Sequence, residues 1–384
     1  MTFESKRQPI HTVYGGAHLF RSEIAARLGV KALETLRSCA PDPAGFADCI
    51  GLRGSEELVR TVHQRCIAKL AREPIEDYRI DFEDGYGNRP DSEEDRHAVS
   101  TARAVANGAQ QPGFPPFLGI RIKPFTGASR ARSVRTLNLF LETLASGGVP
   151  QNFAVTLPKV TVPRQVAELV RLLEPFPSVS IELMIETPQS IIDGSGQFAI
   201  PKLLDAAEGR CRGLHFGAYD YTASCDITAE HQSLTHPACD FARHVMQVSS
   251  AGRGVTLSDG ATNILPISPD PAVVRRAMRL HFEQVQRSLM HGFYQGWDLH
   301  PAQLPTRYAA VYSFFLQSFE AAAARLRNFV DQAARATLVG DVFDDAATGQ
   351  GLLNFFRRGI NCGAFTQQEA AAAGFQPAPT LQIE

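Results

Sequence analysis

Seven ionisable side chains recur along the 384-residue chain at steps of 27 to 41 residues: Asp81, Arg121, Lys159, Glu186, Asp220, Asp259 and His300. Glu83 and Asp84 crowd in behind the first of them, within the stretch YRIDFEDGYG. Gathered at one place, this set has definite chemistry. Glu186 and Asp220 are hard oxygen donors suited to a divalent cation such as Mg2+, with waters or substrate oxygens completing an octahedron. Such a cation chelates a 2-oxo or carboxylate group and stabilises an enolate. Arg121 offers a planar fork for a carboxylate or phosphate held bidentately. Lys159 adds a positive charge, or serves as a Schiff-base amine if desolvated. Asp81, Glu83 and Asp84 would orient these cations and order metal-bound water, and Asp259 and His300 would line the substrate space. A single charge at a strand end is more often a cap or a solvated group, so the joint arrangement carries the argument.

Each of these residues lies in or just behind a short β-rich run, and helix-patterned segments fill the intervals. Strands are expected over residues 11–15, 78–83, 117–122, 153–160, 179–186, 212–217, 254–259 and 296–300. Amphipathic segments such as SEELVRTVHQRCIAKLA and DPAVVRRAMRLHFEQVQRSLMHG alternate with them. Pro163 marks a helix start and Gly252 and Gly292 mark helix ends. Eight strand–helix units predict an α/β fold, a closed (β/α)8 TIM barrel, with a C-terminal helical extension. An open doubly wound sheet would carry a glycine-rich phosphate turn after its first strand, and VYGGAHLF does not fit GxGxxG.

Alternation within the strands tells which face carries charge. Ile80 and Phe82 oppose Asp81 and Glu83; Ile120 and Ile122 oppose Arg121 and Lys123; Ile181, Leu183 and Ile185 oppose Glu182, Met184 and Glu186. A parallel strand buried on both faces should be almost wholly apolar. Here one face ends in charge at the carboxyl terminus, where a barrel opens its active-site mouth. Residues 1–315 are expected to form the catalytic barrel, with 39–72 an insertion plus a helix, and 316–384 the helical extension and tail.

Charge excludes some partners. Lys plus Arg number 38 against 40 Asp plus Glu, a net charge of −2, so no broad nucleic-acid or membrane footprint is expected. The seven cysteines form no CxxC pair, and no apolar stretch reaches the length of a signal-peptide core or a membrane span. A cytoplasmic protein is the expectation. His215, His231, His236 and His244 match no ligand spacing and are read as ordinary histidines.

The order DFEDG, RIK, LPKV, IET, GAYD, LSDG and GFYQGWDLHPAQ resembles the citrate lyase β-subunit-like branch of the HpcH/HpaI aldolase family, over about residues 11–315. The resemblance implies an oligomeric TIM barrel, a homotrimer or hexamer, performing Mg2+- or Mn2+-assisted carbon–carbon cleavage or condensation. It implies Glu186 and Asp220 as metal ligands, Arg121 as the ligand of the substrate anion, and Glu83 and Asp84 as an acidic pair near metal-bound water. The segment DVFDDAATGQGLL resembles one that supplies a catalytic Asp to a neighbouring subunit, and Asp345 fits that slot. Lys123 stands where the family has Asn, and IIDGSGQFAIPK widens the Glu186–Asp220 interval. The expected function is a metal-dependent carbon–carbon lyase for a small hydroxy- or oxo-carboxylic acid or its CoA thioester. Malate-synthase-like condensation or thioester hydrolysis on the same barrel is the alternative, and a catalytically silent metabolite-binding or subunit barrel is the alternative of another class.

Overall fold

The computed structural model describes residues 7–331, 337–339, 342–344 and 346–375. Its strands are β1 (His11–Gly16), β2 (Asp77–Asp81), β3 (Phe117–Arg121), β4 (Phe153–Leu157), β5 (Ser180–Ile185), β6 (Cys211–Phe216), β7 (Thr256–Ala261) and β8 (Gln295–Asp298). Each pairs in parallel with the next, and β8 pairs with β1, so the sheet closes into a barrel. The expected TIM barrel is the observed fold.

Helices α1 (Ile24–Cys39), α2 (Pro43–Ile50) and α3 (Glu56–Arg72) separate β1 from β2. Thereafter come α4 (Asp91–Gly108), α5 (Ser129–Ala145), α6 (Pro163–Leu172), α7 (Pro188–Ile191), α8 (Ala199–Ala206), α9 (Ala218–Ser224), α10 (Pro237–Ser250) and α11 (Pro271–Met290). Residues read as an insertion thus hold α2. Asp42 caps it by accepting from Gly45 N at 2.8 Å, Pro43 opens it, and Gly51 ends it at φ 79°. The outward strand residues Ile80, Ile120, Val155, Leu157, Ile181, Leu183 and Leu214 are all fully buried. They pack beneath helix residues such as Leu137, Phe140, Val166, Leu169 and Leu203, which supply the main apolar core.

The barrel interior is polar instead. Arg79 on β2 donates to Asp77 (2.6 Å), Glu182 (2.6 Å) and Thr156 (3.0 Å), and Glu182 also accepts from Arg212 Nε at 2.8 Å, with His215 Nε2 3.1 Å away. Arg79 is wholly buried, so this cluster must be complete, because removing one partner of a buried pair costs about 3–5 kcal/mol. It forms a rigid plug under the mouth.

Beyond β8, α12 (Leu304–Asp331) runs down the outside of the barrel against α3 and α11. A hairpin of β9 (Thr337–Val339) and β10 (Val342–Asp344) follows, then α13 (Ala346–Cys362) and α14 (Gln367–Ala372). Phe319, Phe355, Phe356 and Phe365 join this extension to α12, with ring centroids 4.8 to 6.0 Å apart. Arg358 lies 3.8 Å over the Tyr294 ring and donates to Gln8 at 3.0 Å, which places α13 at the amino-terminal end of the barrel. Among the described residues, no helix is long and apolar enough to cross a membrane.

Candidate active site

The carboxyl ends of β2 to β6 bring most of the expected residues together. Arg121 closes β3 with its guanidinium buried, where Asp81 accepts from Nε at 2.7 Å and from Nη2. Burial opposes ionisation of Asp81, but the Arg121 guanidinium prevails and holds the carboxyl below its usual value. Two of the three Arg121 nitrogens are thereby committed. Only Nη1 faces the mouth, 3.0 Å from Glu83 Oε2 and 3.7 Å from Asp84, so the bidentate grip expected for a substrate anion is already taken by Asp81.

Lys159 lies just past β4 in a left-handed conformation, φ 49°, which costs a non-glycine residue roughly 1 kcal/mol. That turn gives the residue two contacts. Its backbone N–H donates to Glu186 Oε1 at 2.6 Å, and its ammonium pairs with Glu83 and stands 3.6 Å from Asp84. Burial would lower the ammonium's pKa, but Glu83 raises it overall. Glu83 thus favours the ammonium over the free amine that a Schiff base would need. Burial pushes the Glu83 carboxyl above its ordinary value against the pull of Arg121 and Lys159.

Glu186 follows β5 and is 1% exposed; Asp220 sits half-buried in the first turn of α9. Gly217, just before α9, makes their approach feasible: a Cβ there would lie 2.5 Å from Glu186 Cβ and 2.7 Å from Oε2. Burial, and then the Asp220 charge, push the Glu186 carboxyl up to about 8. Among the described residues, neither carboxylate is in an ion pair, and Asp220 accepts no hydrogen bond. The mouth thus holds five carboxylates, Asp81, Glu83, Asp84, Glu186 and Asp220, against the two cations Arg121 and Lys159. No three His, Cys, Asp or Glu side chains among the described residues group closely enough for an all-protein metal cage. Two adjoining carboxylates, one of them held up in pKa, suit a hard cation that keeps its other positions for water and substrate.

Other expected residues stand elsewhere. Asp259 turns away from the mouth, bonding Arg243 Nε of α10 at 2.9 Å and Ser288 Oγ of α11 at 2.6 Å. Alternation places it there: Leu257 pairs with outward Leu214 and Ser258 with inward His215, so Asp259 falls on the outward face. His300 caps the turn after β8, Nδ1 accepting from Ala302 N at 3.1 Å, and its charged neighbour is Lys31 of α1. The substrate-lining expectation for Asp259 is corrected, since its carboxylate is spent on the helical layer, whereas His300 is a turn cap at the carboxyl end of β8. Asp345 lies outside the described residues. Lys123 also leaves the mouth, donating to Glu94 at 2.7 Å and Phe82 O at 2.6 Å.

Two residues overlooked in the sequence line the mouth. Tyr14 of β1 and Trp297 of β8 pack at a tilt of 41° with centroids 4.3 Å apart, and the Arg121 guanidinium lies 4.9 Å from the first ring and 5.5 Å from the second. Alternation about His11 and Val13 on β1 would have pointed Tyr14 inward, and Trp297 is the only tryptophan of the chain.

A closed parallel barrel with an acidic cluster at its carboxyl end defines the class: a (β/α)8 barrel with an acidic mouth. The chain belongs to the family described as a domain of unknown function, DUF6986, which matches residues 3–382. No curated protein matches it. Among solved structures, a citrate lyase from Burkholderia xenovorans LB400 is similar at TM-score 0.62 and 18% identity, over 97% of both chains. CitE from Mycobacterium tuberculosis, in complex with magnesium, acetoacetate and coenzyme A, is similar at TM-score 0.53 and 16% identity, over 92% of this chain and 98% of that one. A Haloferax volcanii malate synthase, as a lead(II) complex, gives TM-score 0.53 and 15% identity over 80% of this chain and 74% of its own. At these identities the likeness is one of fold.

Proposed function

We propose that this chain is a divalent-metal-dependent enzyme that makes or breaks a carbon–carbon bond beside the carbonyl of a small carboxylic acid or its thioester. Its metal ligands would be Glu186 and Asp220, and Mg2+ or Mn2+ the cation. One observation carries the reading: two neighbouring carboxylates, neither ion-paired, share a mouth in which negative groups outnumber positive ones, and burial with like-charge repulsion holds Glu186 near 8. A bound divalent cation supplies Lewis-acid polarisation of the carbonyl and counters the charge that develops there. The protein's own groups divide the remaining work. Arg121 presents Nη1 to an anionic substrate oxygen while Asp81 fixes its plane. Lys159 pairs with Glu83, opposing the upward push of burial on that carboxyl, and places its backbone N–H on Glu186, orienting that carboxylate. Asp84, exposed at the rim, is the carboxylate with most freedom to hold or return a proton. The fold shared with citrate lyase, CitE and malate synthase supports the same class of acid chemistry.

Calorimetric titration with MgCl2 and MnCl2 should show one site per chain, absent in Glu186→Ala and weakened in Asp220→Asn. Product analysis with oxaloacetate, and with acetyl-CoA in the presence and absence of glyoxylate, then separates cleavage, condensation and thioester hydrolysis. A wild-type protein that binds neither cation would sink the reading and favour a silent barrel.

A further inference from the structure

The Tyr14 hydroxyl and the Trp297 indole N–H are buried and hydrogen-bond to nothing in the protein. Both belong to rings packed against the Arg121 guanidinium on the adjoining strands β1 and β8. We propose that these two donors, with Arg121 Nη1, receive the oxygens of a free carboxylate on the substrate, and that Tyr14 is a substrate-binding residue that selects free acids. This deepens the function proposed above and rests on it.

Acceptor availability decides the argument. The charged groups around the Tyr14 hydroxyl are Arg79, Arg121, Glu182 and Asp77. The two guanidiniums can only donate. Glu182 is engaged by Arg79, Arg212, Thr156 and His215, and Asp77 by Arg79 and Thr12. The plug is therefore satisfied without Tyr14, and the hydroxyl has no protein oxygen to turn to. A buried donor left unmade weakens the fold, so its persistence beside a charged cluster indicates that something else completes it. The missing partner must be an acceptor, must fit against two aromatic faces and a guanidinium edge, and gains from negative charge. A planar carboxylate meets all three requirements, whereas a neutral thioester carbonyl offers a weaker acceptor and no charge for Arg121 Nη1. The substrate end that reaches the barrel axis is thus a free carboxylate, and any thioester end would project outward.

The test uses the full-length protein with saturating Mg2+, oxalate and pyruvate as probes, and the variants Tyr14→Phe, which keeps the ring, and Trp297→Phe, which keeps an aromatic face without the N–H. Wild-type protein should bind oxalate. Tyr14→Phe should weaken that binding roughly 10- to 100-fold, the loss of one hydrogen bond to an anion. Its Mg2+ affinity should be unchanged, and its ligand-free melting temperature unchanged or higher because an unpartnered polar atom has gone. A merely structural hydroxyl predicts the opposite pair, lower stability with unaltered oxalate binding. Oxalate binding equal in Tyr14→Phe and wild type, or no binding of oxalate or pyruvate to Mg2+-loaded wild type, overturns the inference. Absence of Mg2+ binding in wild type instead overturns the metal reading, and the two failures are read in separate titrations.

Discussion

Replacing Glu186 by glutamine should stabilise the metal-free protein at alkaline pH, although the residue sits at the centre of the proposed site. In an unfolded chain its carboxyl titrates near 4.5; in the folded protein burial and Asp220 move it to about 8. Between those values the folded state retains a proton that the unfolded chain has released. Folded protein therefore binds more protons, and stability falls as pH rises across that window. The loss begins near pH 4.5 and is complete above about 8. At about 1.36 kcal/mol per pH unit, the span is worth up to roughly 5 kcal/mol. A chain of 384 residues has an unfolding entropy on the order of 0.8 kcal/mol per kelvin, so this amounts to a change of about 6 °C in melting temperature.

Scanning calorimetry of wild type and Glu186→Gln in EDTA, from pH 5 to 9, isolates the effect, because every other titrating group is common to both proteins. The difference in melting temperature should grow in favour of Glu186→Gln as pH rises and level off near pH 8 to 9. Saturating Mg2+ should reverse the order, since a ligand that binds only the native state stabilises only the protein able to hold it. A difference that stays constant from pH 5 to 9 would falsify the reasoning, for it would mean that Glu186 ionises as freely as it does in the unfolded chain.

Three further perturbations separate the site from its scaffold. Arg121→Lys keeps the charge but loses the fork around Asp81, so the urea midpoint should fall by the equivalent of at least about 2 kcal/mol, with oxalate binding abolished. Asp259→Asn leaves buried Arg243 short of its partner, and stability should drop by roughly 2–4 kcal/mol while Mg2+ and oxalate affinities in titration calorimetry stay as in wild type. His300→Ala removes a turn cap and should cost about 1 kcal/mol or less in urea denaturation, again with no change in Mg2+ affinity.

The barrel was legible because its signal is repeated. Eight short apolar runs separated by amphipathic segments leave little choice of topology, and each expected strand overlaps an observed one. The placement of Asp81, Glu83, Arg121, Lys159 and Glu186 was legible for a related reason. They sit at or just beyond the last inward position of consecutive parallel strands, where side-chain direction follows from a period of two. Lys159 shows where that reasoning thins, since β4 ends at Leu157 and a left-handed turn, invisible in composition, carries the side chain to Glu83.

Beyond β6 the period of two still holds, but the charged residues fall on the outward face. On β7 Ser258 pairs with inward His215, so Asp259, the next residue, faces the helical layer and its partners Arg243 and Ser288. On β8 the inward residue is Trp297, and Asp298 points outward to His281 Nε2 at 3.1 Å and Arg307 Nη2 at 2.8 Å. A charge-first search selects His300 over an aromatic residue, because it weighs ionisable groups above neutral donors. Yet burial removes that advantage. An isolated buried charge must find a partner within the fold, as Asp259 and Asp298 have done, and is then unavailable to a ligand. A neutral O–H or N–H costs less to leave unpaired and so can wait for a substrate. In a mouth this crowded with satisfied ion pairs, the groups left to recognise a small acid are the ones that sequence reasoning ranks last.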